Sequence, residues 1–203
     1  METQRIPALE PPYEAETGDL LQKMMGGKGD PLKLFRTLAH HPRLMKRFST
    51  MGGGILSGGL VDPIERELLI HRTCALCGCE YEWGVHATFF GRPLGFSEKQ
   101  VRGTVHASWD DPMWSTRQSL LIRLADGLHQ QSNVTDALWR ELAGHWSAPQ
   151  LIEMILTVGF YHLVSYAANA MGVTLEDFGE RFPANPAADG PAGPAFSGPQ
   201  AGG

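Results

Sequence analysis

Residues 63–86 read PIERELLIHRTCALCGCEYEWGVH, and the reading of this stretch decides the fold. Asp62 stands before it as an N-cap and Pro63 takes the first helical position, where its missing N–H costs nothing; Glu65 completes a good helix start. Ile64, Leu68 and Leu69 carry the apolar side onward. Further along, Cys79, Glu82 and His86 lie within about 60° of one another on a helix that turns about 100° per residue. One face therefore presents a thiol, a carboxyl and an imidazole. In a single straight helix Glu67 would lie about 18 Å from Cys79 and roughly 30 Å from His86. Gly78 allows a different outcome, because glycine ends one helix and frees the backbone to begin the next. The spacing predicts a helix hairpin with its break within 75–79 and Glu67 beside His86.

Working outward, the pattern is helical throughout. Upstream, Leu32, Leu34, Phe35 and Leu38 recur at helical spacing up to His40-His41-Pro42, and His40 and His41 mark a helix end. A helix is predicted over 44–51, and Gly52-Gly53-Gly54 with Gly58-Gly59 predicts a loose or tightly turned stretch. The helix carrying Tyr81, Val85 and Phe89 should end near Gly91-Arg92-Pro93. Ser97 and Gln100 form a capping box for a short helix to about 105, and 107–114 reads as a loop around Asp110-Asp111-Pro112. Amphipathic helices follow over 115–130 and 135–146, and a long apolar helix over 148–171. In that helix Met154, Leu156, Phe160 and Leu163 read as a core or interface stripe. Nowhere does an alternation of period two extend over five residues. The expected fold is all-α, a compact helical bundle around a central hairpin. Its domains are an N-terminal arm at 1–30 with about one helical turn, a helical domain at 31–176, and a structureless Pro/Gly-rich tail at 177–203.

Composition narrows the function. The 203 residues are 42% hydrophobic and 19% charged, which suits a single globular core. A net charge of -5 offers no basic footprint for nucleic acid. No apolar run approaches the roughly 20 residues of a membrane span, and the acidic, proline-broken METQRIPALEPPYEAE is unlike a signal peptide. No membrane association and a cytoplasmic location are expected. Cys74, Cys77 and Cys79 are the only cysteines, a pattern of reduced or reactive thiols, not of a disulfide framework. Three cysteines this close make awkward ligands for a closed tetrahedral zinc site, so no metal is expected.

Each residue also has a plainer reading. A lone histidine on a mixed helix face is ordinarily a hydrogen-bonded or surface residue, and only the company of Glu67, Cys79 and Glu82 sets His86 apart. Cys74 and Cys77 read as small buried core residues. Tyr81 and Trp83 suit packing at the hairpin or a pocket wall that binds substrate. The Glu65-Arg66-Glu67 cluster would be an ordinary solvated face were it not for the spacing to His86.

That spacing resembles a family. A glutamate, then Cys79 twelve residues on, then a reactive position four before a histidine is similar to carboxymuconolactone decarboxylase-like and alkyl hydroperoxidase D-like proteins. LFRTLAHHP, VDPIERELLI and LGFSEKQV look like the flanking parts of that family, and the likeness extends over about 31–173. The resemblance implies an all-helical fold assembled as a homo-oligomer, trimer or hexamer, with the site between helices near a subunit contact.

In the hydroperoxidase branch two cysteines perform thiol–disulfide chemistry while glutamate and histidine relay protons. Here the first position is Cys79, but the second is Glu82, and a carboxylate forms no disulfide. The Cys74/Cys77 pair is a C-x-x-C, five residues upstream of the family position. The decarboxylase branch has a carboxylate where Glu82 stands. The resemblance therefore implies a lyase working without cofactor on a small anionic metabolite. Its catalytic residues would be Glu67, Cys79, Glu82 and His86, with His86 the acid–base group, Glu67 orienting it, and Glu82 tuning it or acting as a second acid. Arg66, His71, Tyr81 and Trp83 are the expected substrate-binding residues, with Arg72 another possible anion partner. The alternatives are a thiol peroxidase using Cys79 with Cys77 or Cys74, and a catalytically silent oligomer.

Overall fold

The structure, a computed structural model, describes residues 4–27 and 29–184. These form helices α1 (Ala15–Met24), α2 (Lys33–Leu38), α3 (Pro42–Leu56), α4 (Pro63–Leu76), α5 (Glu80–His86), α6 (Glu98–His106), α7 (Thr116–Gln131), α8 (Asp136–Ala143) and α9 (Ala148–Met171). No strand occurs among the described residues. The expected all-α bundle is thus the fold.

Local chemistry explains most of the boundaries. The Asp62 side chain accepts from the Ile64 amide and Pro63 opens α4, while Ser97, Ser115 and Ser147 each form a full capping box with the glutamine three residues on. α4 is the axis of the molecule, packed by α5, α6, α7 and α9. Leu68, Leu69, Ile70 and His71 are buried in succession, so α4 has no solvent face along that turn, as befits a helix surrounded by others.

Three expectations give way to tertiary packing. The N-terminal segment forms a ten-residue helix, not a single turn, because Leu21 packs with Ala39 and Met45 into a second small core. α3 continues through Gly52-Gly53-Gly54 to Leu56. The Phe48 and Phe160 rings lie 5.0 Å apart, and a Cβ on Gly52 would stand 3.2 Å from the Phe160 ring. Close packing on α9 thereby outweighs glycine's helix cost of about 1 kcal/mol.

Third, the segment assigned to a structureless tail is ordered as far as it is described. Residues 177–184 form a strap across α5. The Glu180 amide donates to the Gly84 carbonyl at 3.3 Å, the Phe182 amide donates to Glu80 Oε1 at 2.7 Å, and the Phe182 ring lies 5.3 Å from Trp83. Arg92 ties the strap down through Glu180 while also pairing with Glu98. Residues 185–203 lie outside the described residues.

Against the expectation that no apolar run approaches a membrane span, the 24-residue α9 meets that length and composition, with mean hydropathy 1.4 over its most apolar window, half of which is buried in the fold. Its inner face is a core stripe containing Met154, Val158, Phe160, Tyr161 and Val164; Leu156 and Leu163 of the expected stripe are exposed.

Candidate active site

The hairpin turns at Gly78, which adopts φ +59°. The Cys79 amide donates to the Cys74 carbonyl at 2.9 Å and the Gly78 amide to the Ala75 carbonyl at 3.0 Å. This is a Schellman arrangement closing α4, with glycine in the left-handed position it favours. Cys79 then serves as N-cap of α5, and α5 returns along α4.

The reversal brings Glu67 and His86 together. Glu67 Oε2 accepts a hydrogen bond from His86 Nδ1 at 2.7 Å, with Glu67 wholly buried and His86 nearly so. His86 Nε2 is 3.1 Å from the Tyr161 hydroxyl and 3.4 Å from Glu82 Oε1. The Tyr161 ring meets the imidazole edge-on at 5.0 Å, and the Phe90 ring stacks on it at 4.9 Å. Phe90 reaches that place because α5 runs into a π-helical turn, Ala87–Gly91, a feature that often occurs at functional sites.

The electrostatics divide the two buried histidines. At His86 burial, which favours the neutral ring, is outweighed by the charge and hydrogen bonds of Glu67 and Glu82, raising its pKa to about 10. At His71 burial prevails over the pull of Glu67 and lowers the pKa to about 4. His71 Nδ1 lies 2.6 Å from the Glu67 carbonyl, so it carries the hydrogen and Nε2 is a lone pair without a partner. At neutral pH the site thus holds one imidazolium and one neutral imidazole, their rings edge to face at 6.3 Å.

Arg66 and Glu67 leave further polar capacity unused. Arg66 Nε is buried with no hydrogen bond, 3.8 Å from Glu67 Oε1, which has none either. Buried polar atoms ordinarily have partners, so this Nε–H, already in ion-pair range of Glu67, is an unused donor inside the fold. Arg72 is not: it forms a bidentate pair with Asp126 and donates to the Thr104 and Ala107 carbonyls.

The thiols are poor nucleophiles in this state. Burial raises the Cys79 pKa to about 12, with the Glu82 amide pulling the other way, and burial also raises Cys74 and Cys77. All three are free. They gather near the buried Ser165 hydroxyl, which makes no well-formed hydrogen bond to any of them.

Tyr81 and Trp83, expected at the substrate, are turned elsewhere. The Tyr81 hydroxyl donates to Glu176 Oε1 at 2.7 Å and accepts from the Leu34 amide at 3.0 Å. Trp83 Nε1 donates to the Thr104 hydroxyl at 3.0 Å. Adjacent positions on α5 point to different sides of it, and both rings are spent on packing. Tyr161 is the residue the sequence reading passed over. A phenol within an otherwise apolar buried helix needs a polar partner, and that was the available signal.

Comparison with known proteins agrees with the fold. Residues 42–107 match the Carboxymuconolactone decarboxylase family. The uncharacterized protein YnjA of Escherichia coli (strain K12) is 27% identical over 115 residues, which is 56% of this chain and 62% of that protein. This chain thus spans under two thirds of that relative's length. A peroxidase-related protein from Silicibacter sp. TM1040 has the same fold, with TM-score 0.75 and 16% identity over 87% of this chain and 95% of that one. So does an alkylhydroperoxidase AhpD core protein from Ralstonia eutropha JMP134, with TM-score 0.73 and 19% identity over 86% and 95%.

Proposed function

We propose, from the match of residues 42–107 to the Carboxymuconolactone decarboxylase family and the fold shared with an alkylhydroperoxidase AhpD core protein, that this chain is an acid–base enzyme that decarboxylates a small carboxylate metabolite. The observation that carries this is the buried Glu67–His86 hydrogen bond of 2.7 Å, with His86 Nε2 turned to Tyr161 and Glu82. A raised pKa makes His86 a proton donor at neutral pH. Glu67 fixes the ring and stabilises its charge.

In the proposed reaction the substrate carboxylate enters beside Arg66. The bond to the carboxyl carbon breaks, carbon dioxide leaves, and the electron pair passes into a conjugated carbonyl or enolate system of the substrate. Nε2 of His86 protonates the resulting carbon, and a proton from solvent restores the imidazolium by way of Glu82 or Tyr161. No cofactor enters this balance. Cys79 lines the same face, and its raised pKa makes it a neutral wall group in this scheme.

A thiol peroxidase is the second reading, favoured by one observation: the three thiols converge near Ser165. The test has two arms. Purified protein is supplied with a panel of small β-keto and lactone carboxylates, and carbon dioxide release is followed for the native chain and His86→Gln. Separately, stoichiometric hydroperoxide is added and loss of thiols is read by mass spectrometry. Release abolished by His86→Gln supports the lyase. Absence of release together with disulfide formation replaces it with the peroxidase.

The exposed apolar side chains Ile152, Leu156, Leu163 and Tyr166 on α9 support assembly as a homo-oligomer, with a trimer or hexamer the expected result of light scattering.

A further inference from the structure

The C-terminal end of α4 meets α7 and the middle of α9. A cavity of about 260 Å³ opens there, lined by Leu128, His129, Ser132, Ile155, His162 and Tyr166 among others. The thiol of Cys77 and one ring nitrogen from each of His129 and His162 all lie within 4.8 Å of one another. We infer that Cys77, His129 and His162 form a binding site for a zinc-class divalent ion, held by three protein ligands with a fourth position open to the cavity.

The hydrogen bonds around the histidines prepare them for this. His162 Nδ1 lies 2.9 Å from the Val158 carbonyl, which can only accept, so the hydrogen is on Nδ1 and the Nε2 lone pair is exposed. A carbonyl holding the far nitrogen of a histidine is the usual support of a metal-ligating imidazole. That Nε2 points at His129 Nδ1 at 2.9 Å, the two rings stacked 29° from parallel. Without an ion, a hydrogen on His129 Nδ1 bridges the two rings. When the ion binds, His129 takes its other neutral tautomer, both lone pairs turn to the metal, and the Cys77 thiol loses its proton to solvent.

The distances suit the chemistry. Tetrahedral zinc with bonds of about 2.0–2.1 Å to nitrogen and about 2.3 Å to sulfur sets its ligand nitrogens roughly 3.3 Å apart and sulfur about 3.5 Å from each, so the rings part by a few tenths of an ångström and the Cys77 thiol, within 4.8 Å of both, closes on them. One thiolate with two imidazoles is a donor set that selects zinc or cobalt over magnesium or calcium. None of the three side chains hydrogen-bonds Glu67 or His86. The Asn169 side-chain amide, donating to the Cys77 carbonyl at 2.9 Å, fixes the turn that presents the thiol.

The full chain, stripped of metal by chelator, is titrated with cobalt(II). The expected result is one equivalent bound, with the strong visible bands of a tetrahedral ion and a thiolate-to-cobalt charge-transfer band, all bleached by zinc. Zinc should also protect Cys77 from alkylation. Cys77→Ser should abolish the charge-transfer band, and His162→Ala should weaken zinc binding at least about tenfold. Cys77→Ser exchanges a thiol for a hydroxyl of similar size, so it keeps the test meaningful should His162→Ala fail to fold. A weak octahedral-type spectrum, or zinc affinity and stoichiometry unchanged in Cys77→Ser, overturns the assignment.

Discussion

The Glu67 carboxylate holds Nδ1 of His86 at 2.7 Å inside the fold, one residue from each arm of the hairpin. Folding therefore raises the His86 pKa from 6.5 to about 10, and linkage fixes the sign of the pH effect. A group whose folded pKa lies higher binds its proton more tightly when folded. Its stabilisation is complete below pH 6.5 and is lost as pH rises towards about 10. Urea midpoints for the native chain should fall across that interval more steeply than those of His86→Gln. Equal slopes would mean that the pair is not charged in the folded protein.

Removing the carboxylate while keeping its shape isolates its role. In Glu67→Gln the imidazolium loses its partner in a buried site, which costs about 3 kcal/mol when one member of a buried pair is removed. The His86 pKa should then fall, held up by Glu82 alone. If the lyase proposal is correct, kcat falls by about 10²–10⁴, the worth of a positioned general acid, and what activity is left gains from acidification as the ring regains its proton. An unchanged pH–rate profile would remove Glu67 from the reaction.

The hairpin was legible because its instructions are local. Asp62-Pro63, Gly78 and the capping boxes act within a few residues, so spacing alone brought Glu67 to His86. What escaped depends on distant partners. The helix through Gly52 exists because Phe160 packs there, the order of residues 177–184 depends on Gly84 and Trp83, and Tyr161 enters the site from α9. Cys77, His129 and His162 come from three separate segments, so no motif joins them. Tyr81 and Trp83 had the right neighbours but the wrong side of α5, a distinction of helix rotation that needs the packed bundle to settle.

Tyr81→Phe separates packing from substrate contact. The hydroxyl bridges buried Glu176 and the Leu34 amide, and leaving such groups without it costs about 1–3 kcal/mol. Thermal unfolding should shift downward while turnover per folded molecule stays unchanged. A rise in KM at constant stability would return Tyr81 to the substrate pocket.

Gly84→Ala probes the strap directly. Gly84 sits where a Cβ would lie 2.1 Å from the Glu180 carbonyl oxygen, and that neighbour is backbone, which no rotamer change can withdraw. The strap must lift, giving up the Glu180 and Phe182 hydrogen bonds to α5 and uncovering Trp83. Crowding of this kind costs about 1–3 kcal/mol. The bundle beneath has its own core, so the loss should be local: limited proteolysis should cut near residues 177–184 in Gly84→Ala and spare the native chain, with helical circular dichroism the same in both. Equal resistance to cleavage would show that α5 can retreat and keep the strap seated.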